Sequence, residues 1–388
     1  MRLERDRACP VPRHGGEAKL AGVGIKMIKK DMVHTISQNP ITLDEFEGEF
    51  KAGIGREYEI PERFVTQATP DNIKNFADAV GDANPLWINE AYAKKSRCGG
   101  IIAPPTFLYN INHGSSPALA PPGQAPPMNL ALLYAGAEFE FFRLIRLGDE
   151  FIVRGKSTGI VRKQSKSIGP MLFTTGEVTY SNRKKELIGI LRTTLCRFNP
   201  PEKHTVHIDR KSKPGFAPKS PDLLAFERKR RGDVPRYWED IIVGEEMTPV
   251  LEKGLLTMME IVRFGLFVSG LPRRIERRRE DVEIGFPREE MQKRAGLENA
   301  SDYGPQRVCW LGQFATDWMG DDGMLKKLSC RVRHPSILGD SNFVKGKVKK
   351  KRIENGEHLV DCEIWVENQA GLVTAPGTAI IALPSKVR

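Results

Sequence analysis

The chain lacks the sequence signatures of several large functional classes. Its six cysteines form no C-x-x-C pair and no histidine pair accompanies them at zinc spacing, so we expect reduced, buried thiols and no metal site. No apolar run approaches the ~18 residues that a membrane helix needs. G-x-S-x-G, P-loop and dinucleotide-binding fingerprints are also missing. The sequence therefore predicts a cytoplasmic protein without a membrane span.

The composition is that of an ordinary globular protein with an excess of positive charge. The 388 residues are 40% hydrophobic and 28% charged, and 60 Lys and Arg face 49 Asp and Glu, which gives a net charge of +11. Such a balance attracts polyanions, namely nucleic acid, an anionic membrane or a phosphorylated small molecule such as coenzyme A. The sequence has no recognised nucleic-acid-binding motif, and its basic runs contain no interleaved aromatic residues. Nucleic-acid binding is therefore the least favoured of these.

Breaks in composition divide the chain into four parts. Residues 1–45 form a charged N-terminal extension, and residues 199–235 form a proline-rich linker. The linker includes the basic run Arg228–Arg231, which we expect to be a solvated face. Two halves remain, 46–198 and 236–388.

The two halves repeat each other. Leu147–Lys156 aligns without gaps to Leu338–Lys347, and six of the ten positions are identical. In both segments a Gly-Asp turn precedes alternating residues that suit a strand. Runs rich in β-branched and aromatic residues follow and predict further strands: Met171–Tyr180 and Glu186–Phe198 in the first half, His358–Glu367 and Leu372–Leu383 in the second.

A helix precedes the strands in each half. Thr69 is a suitable N-cap with Pro70 in the first helical position, and Gly81 ends the helix. Thr257–Glu260 fits a capping box, and Gly270 closes the corresponding helix. The predicted fold class is therefore α+β, with two units in one chain, each a long antiparallel sheet wrapped on a helix. Two similar units can associate as identical subunits do in a twofold dimer.

Three motifs resemble those of the MaoC-like dehydratase family. Gly81–Leu86 reads G-D-A-N-P-L, Gly99–Thr106 reads G-G-I-I-A-P-P-T, and Thr316–Gly323 reads T-D-W-M-G-D-D-G. The resemblance is to double hot-dog members with a fatty-acid-synthase-type dehydratase domain as their first half, and it covers about Arg56 to Ser385. It implies a double hot-dog fold, a thioester of coenzyme A or of an acyl carrier as ligand, and no other cofactor.

The resemblance also implies reversible hydration of a 2-enoyl thioester. In active relatives the motif G-D-x-N-P-x-H supplies an Asp and a His that share one water, and a later His-Gly pair supplies a backbone N–H for the thioester oxygen. The first half keeps Asp82 and Asn84 but has Trp87 at the histidine position. Its His-Gly positions hold Pro104 and Pro105, and proline has no N–H. We therefore expect the first half to bind substrate rather than to catalyse, with Asp82 in a structural role.

In the second half the equivalent positions carry different chemistry. Leu271 stands at the Asp position and Glu276 at the His position, and Tyr303-Gly304 stands at the His-Gly position. Glu276 is the candidate base. The Gly304 N–H is the candidate oxyanion donor, at the start of a helix predicted over Pro305–Trp318. Tyr303 is a candidate proton donor. The alternative for Glu276 is a surface carboxylate that pairs with neighbouring arginines.

Other residues are candidates for binding the thioester. Arg273 and Arg274 suit coenzyme A phosphates, or else lie on a solvated face. Asn84 and Trp87 are candidates in the first half. His113 either points into the acyl channel or packs at a helix end.

Three functions remain open from the sequence. The first is a hydratase or dehydratase that interconverts a 2-enoyl-CoA and a 3-hydroxyacyl-CoA with a divergent acid–base site. The second is an inactive binding subunit of the same fold that supports an active partner chain. The third is a nucleic-acid-binding protein. A homodimer or a complex with a partner hydratase subunit is compatible with the first two.

Overall fold

The fold was analysed in a computed structural model. It describes residues 40–60, 63–112, 116–124, 126–127, 129–201, 211–212, 216–221, 224, 228–268, 297 and 299–387. Its α-helices are α1 Leu43–Ala52, α2 Pro70–Val80, α3 Pro85–Ile88, α4 Glu90–Lys95, α5 Leu108–Asn112, α6 Met258–Phe267 and α7 Gly304–Met319. Its strands are β1 Tyr58–Glu59, β2 Ala131–Phe141, β3 Phe151–Ser165, β4 Gly169–Asn182, β5 Leu187–Phe198, β6 Leu251–Leu255, β7 Met324–Arg331, β8 Ser341–Glu354, β9 Glu357–Asn368 and β10 Val373–Ala382.

All ten strands belong to one antiparallel sheet whose order is symmetric about its centre. The order is β1-β3-β4-β5-β2-β7-β10-β9-β8-β6, so each half contributes five strands in the same relative order. The halves meet where β2 pairs with β7, from Gly136 opposite Arg331 to Glu140 opposite Lys327. The two-unit α+β architecture predicted from the repeat and the double hot-dog fold implied by the resemblance are both confirmed.

The repeated decapeptides lie in equivalent surroundings. Gly148 and Gly339 both adopt a φ of 89°, which favours glycine. The Gly148 N–H donates to Ala68 O at 2.8 Å, and the Gly339 N–H donates to Leu256 O at 3.0 Å. In both halves this turn therefore joins the start of the long strand to the residue just before the helix, as a duplicated unit requires.

The two predicted helices form with the predicted caps. The Thr69 side chain accepts from Asn72 N, and Gly81 ends α2 in the left-handed conformation at a φ of 72°. Thr257 and Glu260 form a reciprocal capping box at the start of α6. The helix α6 ends at Phe267, and Gly270, its predicted end, lies outside the described residues.

The helix α7 forms the centre of the second half. Every residue from Pro305 to Met319 is buried, because the helix contacts the sheet of its own half and also β2 of the first half. A helix that is buried on every side must satisfy its polar side chains internally. The polar and charged residues of α7 therefore indicate where the site lies.

The predicted boundary at residue 45 falls inside α1. Thr42 and Glu45 form a capping box, so the helix begins at Leu43. Phe46 and Phe50 are 1% and 0% exposed, and they pack in a small apolar cluster with Leu172 of β4. This burial ties α1, which spans the predicted boundary, to the first-half sheet. The proposed domain division stays a prediction.

No helix in the described part of the chain is long and apolar enough to cross a membrane.

Candidate active site

Backbone hydrogen bonds align the two halves around the expected site. The Ala103 N–H donates to Ile145 O at 2.9 Å, and the Asp302 N–H donates to Ser336 O at 2.8 Å. The isolated bridges on either side agree with this register, since residue 102 pairs with 146 and residue 301 with 337. Residue 103 thus corresponds to 302, and Pro104-Pro105 corresponds to Tyr303-Gly304, as the motifs predict.

In the first half, Asp82 and Asn84 stabilise the chain turn after α2. Asp82 Oδ1 accepts a hydrogen bond from the Asn84 N–H at 3.2 Å. Asn84 Oδ1 in turn accepts from the Leu86 N–H at 3.0 Å and caps α3. Both side chains are nearly completely buried. The motif G-D-x-N-P therefore has a local structural function here.

Trp87 is a core residue that fills the space at the family's histidine position. Its side chain is 3% exposed and belongs to the main hydrophobic core. Its indole Nε1 is buried without a standard hydrogen bond, although the indole is near enough to Asp82 to lower the pKa of that carboxyl. Because indole neither gives nor takes a proton near neutral pH, this position provides no acid–base group.

A small cavity marks the first-half site. Its walls include Asn84, Trp87 and Pro105 of the first half and Thr316 and Asp321 of the second, and its volume is about 30 Å³. That volume holds about two water molecules. The structure therefore brings Asn84, Trp87 and Pro105 together around a small pocket that both halves line.

Behind this site lies a buried cluster of charges contributed by both halves. Asp82 lies close to Lys253 of β6, Asp317 of α7 and Arg228 of the linker. The Lys253 ammonium donates to Val80 O at 2.7 Å and to Gln313 Oε1 at 3.0 Å. A cation at these carbonyls also complements the negative end of the α2 dipole.

The basic run of the linker takes part in the same contact. Arg228 Nη1 donates to Gly81 O and Arg230 Nη1 donates to Ala83 O, both at 2.6 Å. The expectation of a solvated face is therefore wrong for Arg228 and Arg230, because backbone carbonyls of the α2–α3 turn bind their guanidinium groups. Four side chains from outside the first half, those of Arg228, Arg230, Lys253 and Gln313, hold this turn.

Burial perturbs the ionisation of this cluster. It raises the pKa of Asp82, and it raises the pKa of Asp317 from 3.8 to about 7, with a further contribution from the Asp82 charge. Neither carboxylate oxygen of Asp317 has a hydrogen-bond partner in the described part of the chain. Burial also lowers the pKa of Lys253.

Sequence reasoning missed Lys253 and Asp317 as members of a site. Asp317 lies in the T-D-W-M-G-D-D-G motif, which resembles the MaoC-like dehydratases but predicts no role for this aspartate. Lys253 alternates with Leu251 and Leu255 in the short strand Leu251–Leu255, where a lysine is rarely buried without a partner. A lysine at an inward strand position was the available signal, but its partners come from distant parts of the sequence.

In the second half, Gly304 presents a backbone N–H at the start of a long helix. It is the first residue of α7, and the preceding Tyr303 provides no side-chain cap. Among the hydrogen bonds between described residues, none uses the Gly304 N–H, while the Gln306 N–H donates to Tyr303 O at 2.8 Å. An N–H group at a helix N-terminus is suited to bind a negatively charged oxygen. Gly304 therefore retains what Pro105 has lost.

Tyr134 of the first half packs directly on Gly304. A Cβ placed on Gly304 would lie 2.5 Å from Tyr134 Cδ1, so only glycine fits without a shift. The Tyr134 hydroxyl lies 2.6 Å from the Tyr109 hydroxyl. A bulge between Tyr134 and Gly136 in β2 precedes the pairing with β7, and bulges commonly redirect side chains near active sites. The surroundings of Gly304 thus include both halves.

Several predicted residues lie outside the described part of the chain. These are His113, Leu271, Arg273, Arg274 and Glu276. Tyr303 is described, and its ring packs on Phe264 of α6 with 5.7 Å between ring centroids. Within the described ranges no group of three or more His, Cys, Asp or Glu side chains is arranged to hold a metal ion.

Parts of the chain are similar in sequence to a known family and to known proteins. Residues 52–190 match the family described as "FAS1-like, dehydratase domain region". A "UPF0336 protein" of Thermobifida fusca is 34% identical over 108 residues, which are 28% of this chain and 69% of that protein. A "Probable enoyl-CoA hydratase alpha subunit" of Thermomonospora curvata is 26% identical over 182 residues, which are 44% of this chain and 56% of that protein. The chain thus spans about half the length of that subunit.

Solved structures resemble nearly the whole chain. A "MaoC-like dehydratase" has a TM-score of 0.62 at 18% identity, over 87% of this chain and 100% of that one. A Mycobacterium tuberculosis protein described as a double hot-dog has a TM-score of 0.56 at 11% identity, over 86% of this chain and 98% of that one. The chain is related to the UPF0336 proteins, and it has the double hot-dog fold of the MaoC-like dehydratases. The resemblance and the fold predicted from the motifs are confirmed.

Proposed function

We propose that this protein interconverts a 2-enoyl-CoA and a 3-hydroxyacyl-CoA, and that the second half carries the reaction. The observation that supports this most is the Gly304 N–H at the start of α7, next to Tyr134 and without a partner among the described residues. The name of the Thermomonospora curvata relative, a probable enoyl-CoA hydratase subunit, agrees with this reaction class.

The proposed reaction adds water across the conjugated double bond. Glu276 takes a proton from water, and the resulting hydroxide oxygen bonds to the β-carbon. Electrons move to the thioester oxygen, where the Gly304 N–H stabilises the enolate charge as it develops. The α-carbon then receives a proton, either directly from the Glu276 carboxylic acid or from Tyr303, whose phenolate then takes the proton held by Glu276. Dehydration follows the same steps in reverse.

The other predicted residues have supporting roles in this proposal. Arg273 and Arg274 would bind the phosphates of coenzyme A, which is part of the substrate, and no cofactor would be required. His113 is assigned to binding of the acyl chain. Asn84 and Trp87 contribute the first-half wall of the pocket, and Asp82 stabilises the turn after α2.

A second candidate function is a binding subunit that supports an active partner chain. The first half favours it, because Trp87 and Pro105 stand where active relatives have acid–base and oxyanion groups, and the pocket they line is only about 30 Å³. The relative named as an alpha subunit also agrees with an assembly of different chains. A homodimer is the alternative assembly.

The test is a hydration assay with a panel of 2-enoyl-CoA esters, followed by loss of the conjugated chromophore. We expect Glu276→Gln to abolish turnover, because the base is lost. Asp82→Asn is the matched control, since an amide oxygen still accepts the Asn84 N–H and turnover per folded molecule should persist. Tight binding of the esters without turnover would refute the hydratase and support the binding subunit.

A further inference from the structure

A buried ion pair lies directly at the turn that presents the Gly304 N–H. Arg307 Nε is 2.6 Å from Asp302 Oδ2, and Arg307 Nη2 is 3.2 Å from Asp302 Oδ1. The two side chains are 2% and 1% exposed. Asp302 precedes Gly304 by two residues and Arg307 follows it by three, so the pair spans the turn from both sides.

The same pair ties this turn to neighbouring elements of the second half. Asp302 Oδ1 accepts from the Ser336 N–H at 3.3 Å. The Arg307 guanidinium donates to His334 O and to Thr374 O of β10. A planar guanidinium that reaches a carboxylate and two carbonyls fixes orientation as well as distance.

The first half has no counterpart of this pair. In the register set by the backbone hydrogen bonds, Asp302 corresponds to Ala103 and Arg307 to Leu108, and both first-half residues are buried and apolar. The half whose oxyanion position is a proline therefore packs this turn with methyl groups. The half that keeps the N–H fixes the turn with two charges.

Stability is a poor explanation for this difference. Moving two charges out of water is costly, and apolar replacements of a buried ion pair are often neutral or stabilising. An arginine in the first turn of a helix also opposes the helix dipole. The fold forms with apolar residues at these positions in the first half, so the pair of the second half serves something other than folding.

We infer that Asp302 and Arg307 are positioning residues that hold the Gly304 N–H in the orientation required by the thioester oxygen. The inference rests on the proposed function of Gly304. Catalytic groups act within a narrow range of positions, and a displacement of the order of 1 Å costs about 100-fold in rate. The pair is the specific means by which the second half limits such displacement.

The test is the double variant Asp302→Ala/Arg307→Leu, which gives the second half the residues of the first. We expect it to fold with an unfolding midpoint no lower than that of the unaltered protein. Its kcat for enoyl-CoA hydration should fall about 10- to 100-fold with little change in KM, because the ground-state contacts remain. The single variant Asp302→Ala should instead lower the unfolding midpoint, since it leaves the Arg307 charge buried alone.

The matched control is Arg143→Leu/Asp149→Ala, which removes a bidentate Arg–Asp pair of the first half with N–O distances of 2.8 and 2.9 Å. Its kcat should be unchanged. A folded Asp302→Ala/Arg307→Leu variant with full kcat would overturn the inference.

Amide hydrogen exchange makes the result independent of turnover. Exchange at Gln306 and Ser336, whose N–H groups bond to Tyr303 O and Asp302 Oδ1, should rise in the Asp302→Ala/Arg307→Leu variant. Unchanged exchange at both would overturn the inference even if the hydratase proposal holds. Faster exchange in a protein that hydrates no ester would support the positioning and refute the hydratase proposal alone.

Discussion

The two halves of the sheet share a backbone pattern and differ in what occupies the helix-turn site. In the first half Trp87 and Pro105 line a pocket of about 30 Å³, and side chains from the linker and the second half hold the turn after α2. In the second half Gly304 starts a 16-residue helix, and a buried Asp–Arg pair lies at its start. Two copies of one unit thus place different groups at equivalent backbone positions.

The largest expected effect concerns the lysine that holds the turn after α2. Lys253→Met removes the group that bonds to Val80 O and Gln313 Oε1 and leaves Arg228 as the main remaining cation beside Asp82 and Asp317. We expect the free energy of unfolding to fall by about 3–5 kcal/mol. Urea denaturation measures it, with Lys349→Met as the exposed control, for which we expect a change within about 0.5 kcal/mol. Equal effects of the two substitutions would contradict the role given to Lys253.

The next largest effect is expected for Gly304→Pro, which gives this position of the second half the residue that the first half has. Gly304→Pro removes the N–H and is compatible with the first position of a helix. We expect kcat for enoyl-CoA hydration to fall about 100- to 1000-fold. The matched control is Gly304→Ala, which brings the same Cβ against Tyr134 but keeps the N–H. Equal losses in both variants would assign the effect to packing rather than to the oxyanion contact.

A smaller effect concerns the pH dependence of stability. The pKa of Asp317 is raised from 3.8 to about 7 in the folded protein. Between these values the folded state keeps a proton that the unfolded chain has released, so the free energy of unfolding falls as pH rises through this window. Above pH 7 the penalty is complete and no longer grows.

The variant Asp317→Asn isolates the contribution of this carboxyl to the pH dependence of the free energy of unfolding. We expect it to be more stable than the unaltered protein at about pH 8, by on the order of 1–3 kcal/mol, and similar to it at about pH 4. Asp78→Asn, at a side chain that is 54% exposed, should follow the unaltered protein at both values. Denaturation curves that show no pH-dependent difference for Asp317→Asn would contradict the buried carboxylic acid.

Local patterns in the sequence predicted most of the fold. Thr69, Gly81 and Thr257 act as the predicted caps, and β5 ends at Phe198 as expected, because capping and strand alternation depend on residues close together in the chain. The predicted boundary at 45 lies inside α1, because this helix begins with its own capping box at Thr42. The duplication predicted the pairing of the halves, which no local pattern contains.

The site was only partly predictable for a physical reason. Pro105 and Gly304 were identified because an N–H is present or absent whatever the tertiary contacts. The ion pair of Asp302 and Arg307 and the burial of Lys253 depend on side chains that meet only after the sheet has formed. For the basic run Arg228–Arg231, charge alone suggested a solvated face, because most charged side chains are exposed.

A crystal structure with a bound 3-hydroxyacyl-CoA tests the central claim most directly. The account predicts that the thioester oxygen lies about 3 Å from the Gly304 nitrogen, with Tyr134 against the same group. It also predicts that the cavity at Trp87 and Pro105 holds no part of the acyl chain. A thioester bound at that first-half cavity, with the Gly304 N–H turned to a protein acceptor, would contradict it.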